Sequence, residues 1–307
     1  MTPPSIGLAL IAKDEETTLP NLLASVEGAF DQVALLDTGS TDRTVEVFEE
    51  WAATEKERQT GFVSTLGHFE WVDDFAAARN AADDLLETDW LCWADCDDVI
   101  ENAGRLRRLV RQTPAHVTHW RFPYDRDGEG GGCWTRLRRS GVGVWVGRLH
   151  EGFRGLDSPC GEGDDVRWRS DRGGMRRASR DRDLRVLRSW VLEEPRNLRP
   201  LGMLAVAEFE EGNREAAIEC FERYIAIRYA EIDDSVARWE REAAEWALGK
   251  LRAAVHEMDR GDRHYWDTFD FAVTIILSRR SASTFGATIT CAENHYNPEP
   301  AHARPRA

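Results

Sequence analysis

The 307-residue sequence predicts an α/β domain over residues 1–180, built on a mostly parallel sheet with helices on both faces. An all-α domain over residues 181–296 and a disordered tail, 297–307, are expected to follow. Three observations carry this reading. Short apolar runs alternate with helical periodicity through the first hundred residues. Residues 116–171 then break into β-rich fragments between glycine-rich turns such as DGEGGGC, and from about Asp181 glycine becomes scarce and the text is helical. Alternating strands and helices imply a parallel sheet whose ligand crevice lies at the carboxyl ends of its strands.

The first apolar run, SIGLALIA at residues 5–12, stops at Lys13-Asp14-Glu15-Glu16, and Leu19, Leu22, Leu23 and Val26 then recur at helical spacing. Gln32–Leu36 reads as a second strand ending at Asp37; the turn-forming TGSTD follows, and Arg43–Thr54 is an amphipathic helix with Thr41 or Asp42 as N-cap. Gly61–Thr65 is a third strand, separated by the loop HFEWVDDF from a helix over Ala76–Leu86. Trp90–Ala94 is a buried strand that runs into the acidic cluster Asp95-Cys96-Asp97-Asp98. Beyond it, His116–Pro123, Gly143–Leu149 and Val166–Trp168 are the β-rich fragments. Asn197–Ile227 reads as two helices hinged at Gly212-Asn213, with small residues (Gly202, Ala205, Ala216, Ala217) and large ones (Leu204, Phe209, Phe221, Tyr224) placed as a tetratricopeptide hairpin requires. One such hairpin cannot bury its own apolar face, so helices over Ser235–Met258 and Tyr265–Leu277 are expected to stack on it.

The net charge of −15 taken whole argues against a protein that coats nucleic acid or anionic lipid, but the charge is unevenly spread. Residues 1–101 carry 5 basic and 23 acidic side chains, whereas residues 102–190 carry 20 and 11. The middle of the chain is a basic island made of arginine alone. Six cysteines lack any CxxC spacing, which fits reduced thiols rather than a disulfide framework. There is no apolar run of about 18 residues and no basic, cleavable leader, so a cytoplasmic protein without membrane insertion is expected.

Asp95-Cys96-Asp97 is the sharpest chemical signal. Two carboxylates one residue apart at a strand end can hold a hard divalent cation, Mn2+ or Mg2+, that keeps open positions for phosphate oxygens, as a diphosphate leaving group requires. The alternative is a solvated acidic turn before the next helix. The company of other motifs decides between them. In order along the chain stand Ala12-Lys13-Asp14-Glu15, then Leu36-Asp37-Thr38-Gly39-Ser40-Thr41-Asp42-Arg43-Thr44, then Asp73-Asp74-Phe75-Ala76-Ala77-Ala78-Arg79-Asn80, then Asp89-Trp90 leading into Asp95-Cys96-Asp97-Asp98, and later Gly147-Arg148-Leu149-His150-Glu151. In this set the chain resembles glycosyltransferase family 2, with its GT-A nucleotide-sugar-binding fold, and in particular bacterial and phage members with a TPR-like helical extension. No single motif is decisive; the ordered set, covering about the first 155 residues, is specific.

The resemblance implies a metal-dependent glycosyltransferase that uses a UDP-sugar as donor, with inversion at the sugar. It implies that Ala12, Asp14, Glu15 and Asp37 lie at the nucleotide, Asp37 bonding its uracil or ribose. Arg79 and Asn80 are implied as nucleotide or phosphate contacts, although Arg79 could pair with Asp73 or Asp74 instead. Asp95 is implied at the sugar or ribose and as a metal ligand beside Asp97. Glu151 is the expected base for the acceptor hydroxyl, with His150 shaping the site or touching the metal; Asp125, Asp127 and Glu129 stand in reserve. Two departures from the family stand out. Asp14 occupies a place where Asn is usual, and Arg167-Trp168-Arg169-Ser170-Asp171 lacks the His that many relatives present to the metal or diphosphate. Asp171 as third metal ligand, or Arg169 against the diphosphate, could fill that role.

The acceptor is the open side. Residues 134–190 hold 14 arginines against 8 acids, interleaved with Trp134, Trp145 and Trp168, the composition of a polyanion groove with stacking surfaces. Such a face would suit DNA carrying a hydroxymethylated base, flipped out to reach the crevice. The competing reading pairs these arginines with the acid-rich first third of the chain. A protein or peptide acceptor gripped by the helical extension, or a saccharide, is an equal rival. A nucleotidyltransferase or an inactive nucleotide-binding module are the alternatives from other classes; the first would carry a Gly-rich phosphate loop after its first strand, and the second would have no need of the Asp95/Asp97 pair.

Overall fold

The computed structural model describes residues 3–126, 132–156, 159–163, 165–170, 177–230, 241–242 and 244–249. The chain divides between residues 175 and 176 into two compact units. The expected helix over Tyr265–Leu277, the tail from 297, most of the expected helix over Ser235–Met258, and the candidate residues Asp127, Glu129 and Asp171 lie outside the described residues.

The first unit opens as the sequence predicts: β1 (Ile6–Ala12), α1 (Leu19–Ser25), β2 (Gln32–Asp37), α2 (Thr44–Arg58), β3 (Val63–His68), α3 (Phe75–Asp83) and β4 (Trp90–Ala94). These strands form a parallel block in the order β3-β2-β1-β4, with Leu10 level with Leu35 on one side and Ala94 on the other. β1 is apolar throughout because both of its faces are covered. Ile6, Leu8, Leu10 and Ala12 point into one core with Leu19, Leu22 and Phe48. Ala9 joins a second core on the opposite face with Ala34, Ala78, Ala82 and Leu86, into which Ile11 also packs. Gly7 has no side chain because none fits: a Cβ there would lie 2.6 Å from Thr88 Oγ1.

The second half of the unit contains β5 (Asp98–Glu101), α4 (Arg105–Gln112), β6 (His119–Arg126), β7 (Cys133–Arg139), β8 (Val144–Val146), β9 (Gly152–Arg154), β10 (Cys160–Glu162) and β11 (Arg167–Ser170). The main sheet continues β4-β7-β6-β11-β5, with β10 sharing an edge of β6 and β8-β9 forming a separate hairpin. β7 runs antiparallel to both β4 and β6, and β5 antiparallel to β11. The sheet is therefore mixed: the expected parallel arrangement holds for the first four strands, and a hairpin reverses the chain beyond them.

The connection from β4 to β5 bends the sheet. Four interstrand steps separate the two strands, a distance of about 19 Å if the sheet were flat. The chain crosses from Ala94 to Asp98 in four Cα steps, at most about 14 Å when fully extended. Only a sheet curled toward itself brings both ends within that reach, so Asp95, Cys96 and Asp97 lie across the mouth of the curl.

In the second unit, α5 (Arg177–Glu193), α6 (Leu198–Glu210) and α7 (Arg214–Arg228) pack in series, α5 on α6 and α6 on α7. The predicted hinge is a tight reversal in which Gly212 takes φ +82° and Asn213 donates from its backbone to Glu208 O at 2.8 Å. Asn197 caps α6, its Oδ1 accepting from Arg199 N at 3.0 Å. Ala205, Phe209, Ala217 and Phe221 are buried. Arg188 on α5 holds buried Glu208 on α6 through two bonds, at 2.7 and 2.9 Å.

Candidate active site

The carboxyl ends of β1 and β2 meet in two interlocked loops. Ala12 O accepts from both the amide and the hydroxyl of Thr38, at 2.9 and 3.0 Å. Lys13 Nζ donates to Gly39 O at 2.7 Å, and Asp14, at φ +55°, accepts from Thr41 N at 2.7 Å. Glu15 N donates to Thr44 Oγ1 at 2.7 Å, and its carboxylate receives the Thr18 hydroxyl. The acidic loop thus completes the TGSTD turn, with Asp14 as a side-chain acceptor. Asp37 is buried beside it and accepts from Ser40 N at 3.0 Å and Gly39 N at 3.2 Å, with His68 Nδ1 at 3.6 Å. Burial raises its pKa, but the Ser40 and Gly39 bonds outweigh that and hold it below the ordinary carboxylate value.

Across the mouth of the curl, Asp95-Cys96-Asp97-Asp98 alternates outward and inward. Cys96 is buried, with Sγ 3.3 Å from Ile11 O, and burial pushes its thiol well above the usual range. Asp98 is buried as well. Its Oδ2 accepts from Asp95 N at 3.0 Å, closing the turn, and lies 3.2 Å from a guanidinium nitrogen of buried Arg136. Arg136 is layered against Trp93, 3.7 Å from the ring centre, and Tyr124, at 4.9 Å. Burial pushes the pKa of Asp98 up to about 7, a rise that the Arg136 charge limits. Asp95 and Asp97 are half-buried, and Asp97 Oδ2 accepts from Ser170 Oγ at 3.2 Å. An oxygen from each of Asp95, Asp97 and Asp98 lies within 4.8 Å of the others, an all-oxygen set suited to a hard divalent cation.

α3 supplies the link to the expected base. Asp74 caps the helix by accepting from Ala77 N at 3.0 Å, and Phe75 N donates to Arg148 O at 2.9 Å, which ties the Gly147–Glu151 loop to the start of α3. His150 turns that loop at φ +48°. One turn down the helix, buried Arg79 donates through Nε to Glu151 and through its terminal nitrogen to Asp95 Oδ1 at 2.6 Å. Its guanidinium lies 4.3 Å from the Trp93 ring centre and 5.1 Å from that of Trp145. Burial opposes its charge, but Glu151 and Asp95 overcome this and raise its pKa.

The expected residues thus fall into two groups. Ala12, Asp14, Glu15 and Asp37 line the β1 and β2 loops; Asp95, Asp97, Arg79 and Glu151 are joined across the curl. Arg79 and Asn80 are both engaged within the protein. Arg79 pairs with Asp95 and Glu151, while the Asp73 carboxylate takes the Trp71 indole at 2.7 Å and Asp74 caps the helix. Asn80 uses its amide on the Trp145 backbone, donating to the carbonyl and accepting from the amide, both at 3.0 Å. Arg169, 3.6 Å from Glu101, alternates along β11 with Ser170, and it is Ser170 that reaches Asp97. Sequence reasoning missed Ser170, Asp98, Arg136 and Trp93. The one cue to them was the period-two alternation of the DCDD cluster, which buries Cys96 and Asp98 together.

Residues 8–139 match the family model described as Glycosyl transferase family 2. A TPR repeat-containing protein of Synechococcus elongatus is 37% identical over 112 residues, covering 36% of this chain and 25% of that protein. The SPbeta prophage-derived glycosyltransferase SunS of Bacillus subtilis is 26% identical over 111 residues, covering 35% of this chain and 24% of its own. The match spans about a quarter of the length of these curated relatives. Among solved structures, Staphylococcus aureus TarS residues 1–349 align with TM-score 0.48 and 14% identity over 89% of this chain and 90% of that one. A Pyrobaculum calidifontis mannosyltransferase in complex with GDP-Man and Mn2+ aligns with TM-score 0.41 and 15% identity over 90% and 88%. Over residues 8–139, which include the interlocked loops, Arg79 and the Asp95–Asp98 cluster, the chain is similar to glycosyl transferase family 2.

Proposed function

We propose that the chain transfers a sugar from a nucleoside diphosphate sugar, a UDP-sugar, to a hydroxyl of a peptide or saccharide, with inversion. The observation that carries this reading is the single guanidinium of Arg79 joining Asp95, in the cation-binding cluster, to Glu151, the expected base. Asp37, at the end of β2, is the nucleoside contact. Asp95 and Asp97 would hold Mn2+ or Mg2+, with Asp98 behind them fixing the turn. The bound cation supplies charge neutralisation for the diphosphate as it leaves. Glu151 accepts the proton of the acceptor hydroxyl while that oxygen bonds to the anomeric carbon and the bond from that carbon to the diphosphate oxygen breaks.

The acceptor reading rests on how the basic island is used. Arg136 and Arg138 are buried against Asp98 and Asp83, acids from the first third of the chain. Arg139 donates to the carbonyls of Val117 and Pro114, and Arg121 to that of Cys133. Trp145 and Trp168, two of the three candidate stacking surfaces, are buried. These residues serve the fold and offer little to a polyanion, which favours a peptide or saccharide over modified DNA. No helix among the described residues is long and apolar enough to cross a membrane.

The test is UDP release from a panel of UDP-sugars with Mn2+, with and without Asp97→Ala. Release by the wild type and its loss in the variant are expected, and release that survives Asp97→Ala overturns the cation site. Salt-independent weak retention of hydroxymethylated duplex DNA is expected; tight binding that weakens steeply with salt would restore the DNA reading.

A further inference from the structure

The cage around Arg79 does more than connect two acids. We propose that Arg79 is a positioning residue that fixes Glu151 relative to Asp95 and, by occupying Asp95 Oδ1, restrains the affinity of the carboxylate cluster for a divalent cation. This deepens the reading above, since it assigns a regulator of cation affinity within the same site.

The geometry is specific. Arg79 is 6% exposed, and its two donating edges go to different acids, Nε to Glu151 and the terminal nitrogen to Asp95. A planar fork with two edges can set the spacing between two carboxylates, whereas an ammonium is a point charge that cannot fix both. Trp93 and Trp145 hold the plane of the fork, and they stand edge to face with each other, ring centres 5.0 Å apart at 85°. Trp93 is anchored by its indole to Thr135 O at 2.8 Å, and Trp145 by its indole to Asp83 Oδ2 at 2.8 Å. Asn80, one residue on from Arg79, clamps the Trp145 backbone at both polar atoms. The guanidinium therefore has little freedom to swing away when a cation arrives. Its positive charge and its bond to Asp95 oppose cation binding, and a neutral side chain in its place would relieve both.

The test is calorimetric titration of the full chain with Mn2+ alone, for wild type, Arg79→Met and Arg79→Lys, beside UDP-sugar turnover. Arg79→Met is expected to bind Mn2+ on the order of tenfold more tightly than wild type, the scale set by removing one neighbouring unit charge from a partly solvated site, and to lose turnover. Arg79→Lys keeps the charge but not the fork; it is expected to bind Mn2+ within about twofold of wild type and to lose at least about tenfold in turnover. A residue that merely props up the fold would weaken Mn2+ binding when removed, the opposite sign. Mn2+ affinity in Arg79→Met that is unchanged, weaker or absent overturns the proposal, as does full turnover in Arg79→Lys. Should Arg79→Met fail to fold by circular dichroism, Arg79→Gln, which retains an amide donor in the cage, reads the same sign. Tighter Mn2+ binding in Arg79→Met by a chain that turns over no UDP-sugar supports the cage and refutes the glycosyltransferase reading, so the two failures are distinguishable.

Discussion

The buried pair of Asp98 and Arg136 makes a pH-dependent prediction. Asp98 is 1% exposed and Arg136 2%, so neither charge is relieved by bulk solvent, and Asp98 Oδ1 has no hydrogen-bond partner among the described residues. The pKa of Asp98 rises in the fold from 3.8 to about 7. A raised folded-state pKa means that the stability contributed by the protonated acid is fully present below 3.8 and is lost as the pH climbs through about 7. Between pH 5 and pH 8 that linkage amounts to about 2 to 3 kcal/mol. Asp98→Asn, whose amide oxygen can still accept from Asp95 N, removes this contribution. Urea unfolding of the full chain in EDTA, followed by tryptophan fluorescence at the two pH values, is the assay. The wild type is expected to lose about 2 to 3 kcal/mol more than Asp98→Asn over that interval. Arg136→Met, which strands the acid, is expected to cost about 3 to 5 kcal/mol at pH 8 and clearly less at pH 5, where Asp98 escapes by taking a proton. Equal pH slopes for wild type and Asp98→Asn, or a cost of Arg136→Met that does not change with pH, would refute the account.

Other outcomes follow from the packing. Gly7→Ala places a methyl 2.6 Å from Thr88 Oγ1 and 3.0 Å from both Leu86 methyls, so thermal unfolding should show a loss of about 1 to 3 kcal/mol; an unchanged midpoint would contradict the close approach. Glu208→Gln removes the charge and one of the two acceptor oxygens that hold Arg188, whose side chain is 53% exposed, and should cost the helical unit only about 1 kcal/mol. The Arg188 bonds hold the Glu208 pKa below its ordinary value, so the stability it contributes is present above about pH 4.5 and is lost as the pH falls through the folded value. Helicity of the variant and the wild type should therefore converge in acid; a gap that widens there would count against the pair.

Much of the first unit was legible because apolar periodicity reports burial directly. β1 is apolar on both faces and β4 nearly so, and the strand at Trp90–Ala94 has the predicted bounds. β7 was not legible for the same reason. Its buried residues include Arg136 and Arg138, so it shows no apolar period, and their burial makes sense only beside Asp98 and Asp83. β5 is four residues long and its register comes from β11, some 70 residues away in sequence. α4, written RLRRLVRQ, hides two buried residues, Leu106 and Val110, among arginines.

The candidate site divides along the same line. Sequence by itself determined which acids stand at strand ends, since a strand stops where apolar text gives way to Asp37 or to Asp95, and the order of the motifs carried the resemblance to glycosyltransferase family 2. Tertiary structure decided which of those acids face one another. Arg79 and Glu151 are 72 residues apart, and nothing local in either segment specifies the other. Their pairing arises because the sheet curls to close the short β4–β5 connection and because Phe75 N holds the Arg148 carbonyl against α3. Local sequence encodes burial and turn chemistry residue by residue. A charge pair between distant segments depends on the path of the whole chain, and only the assembled fold specifies it.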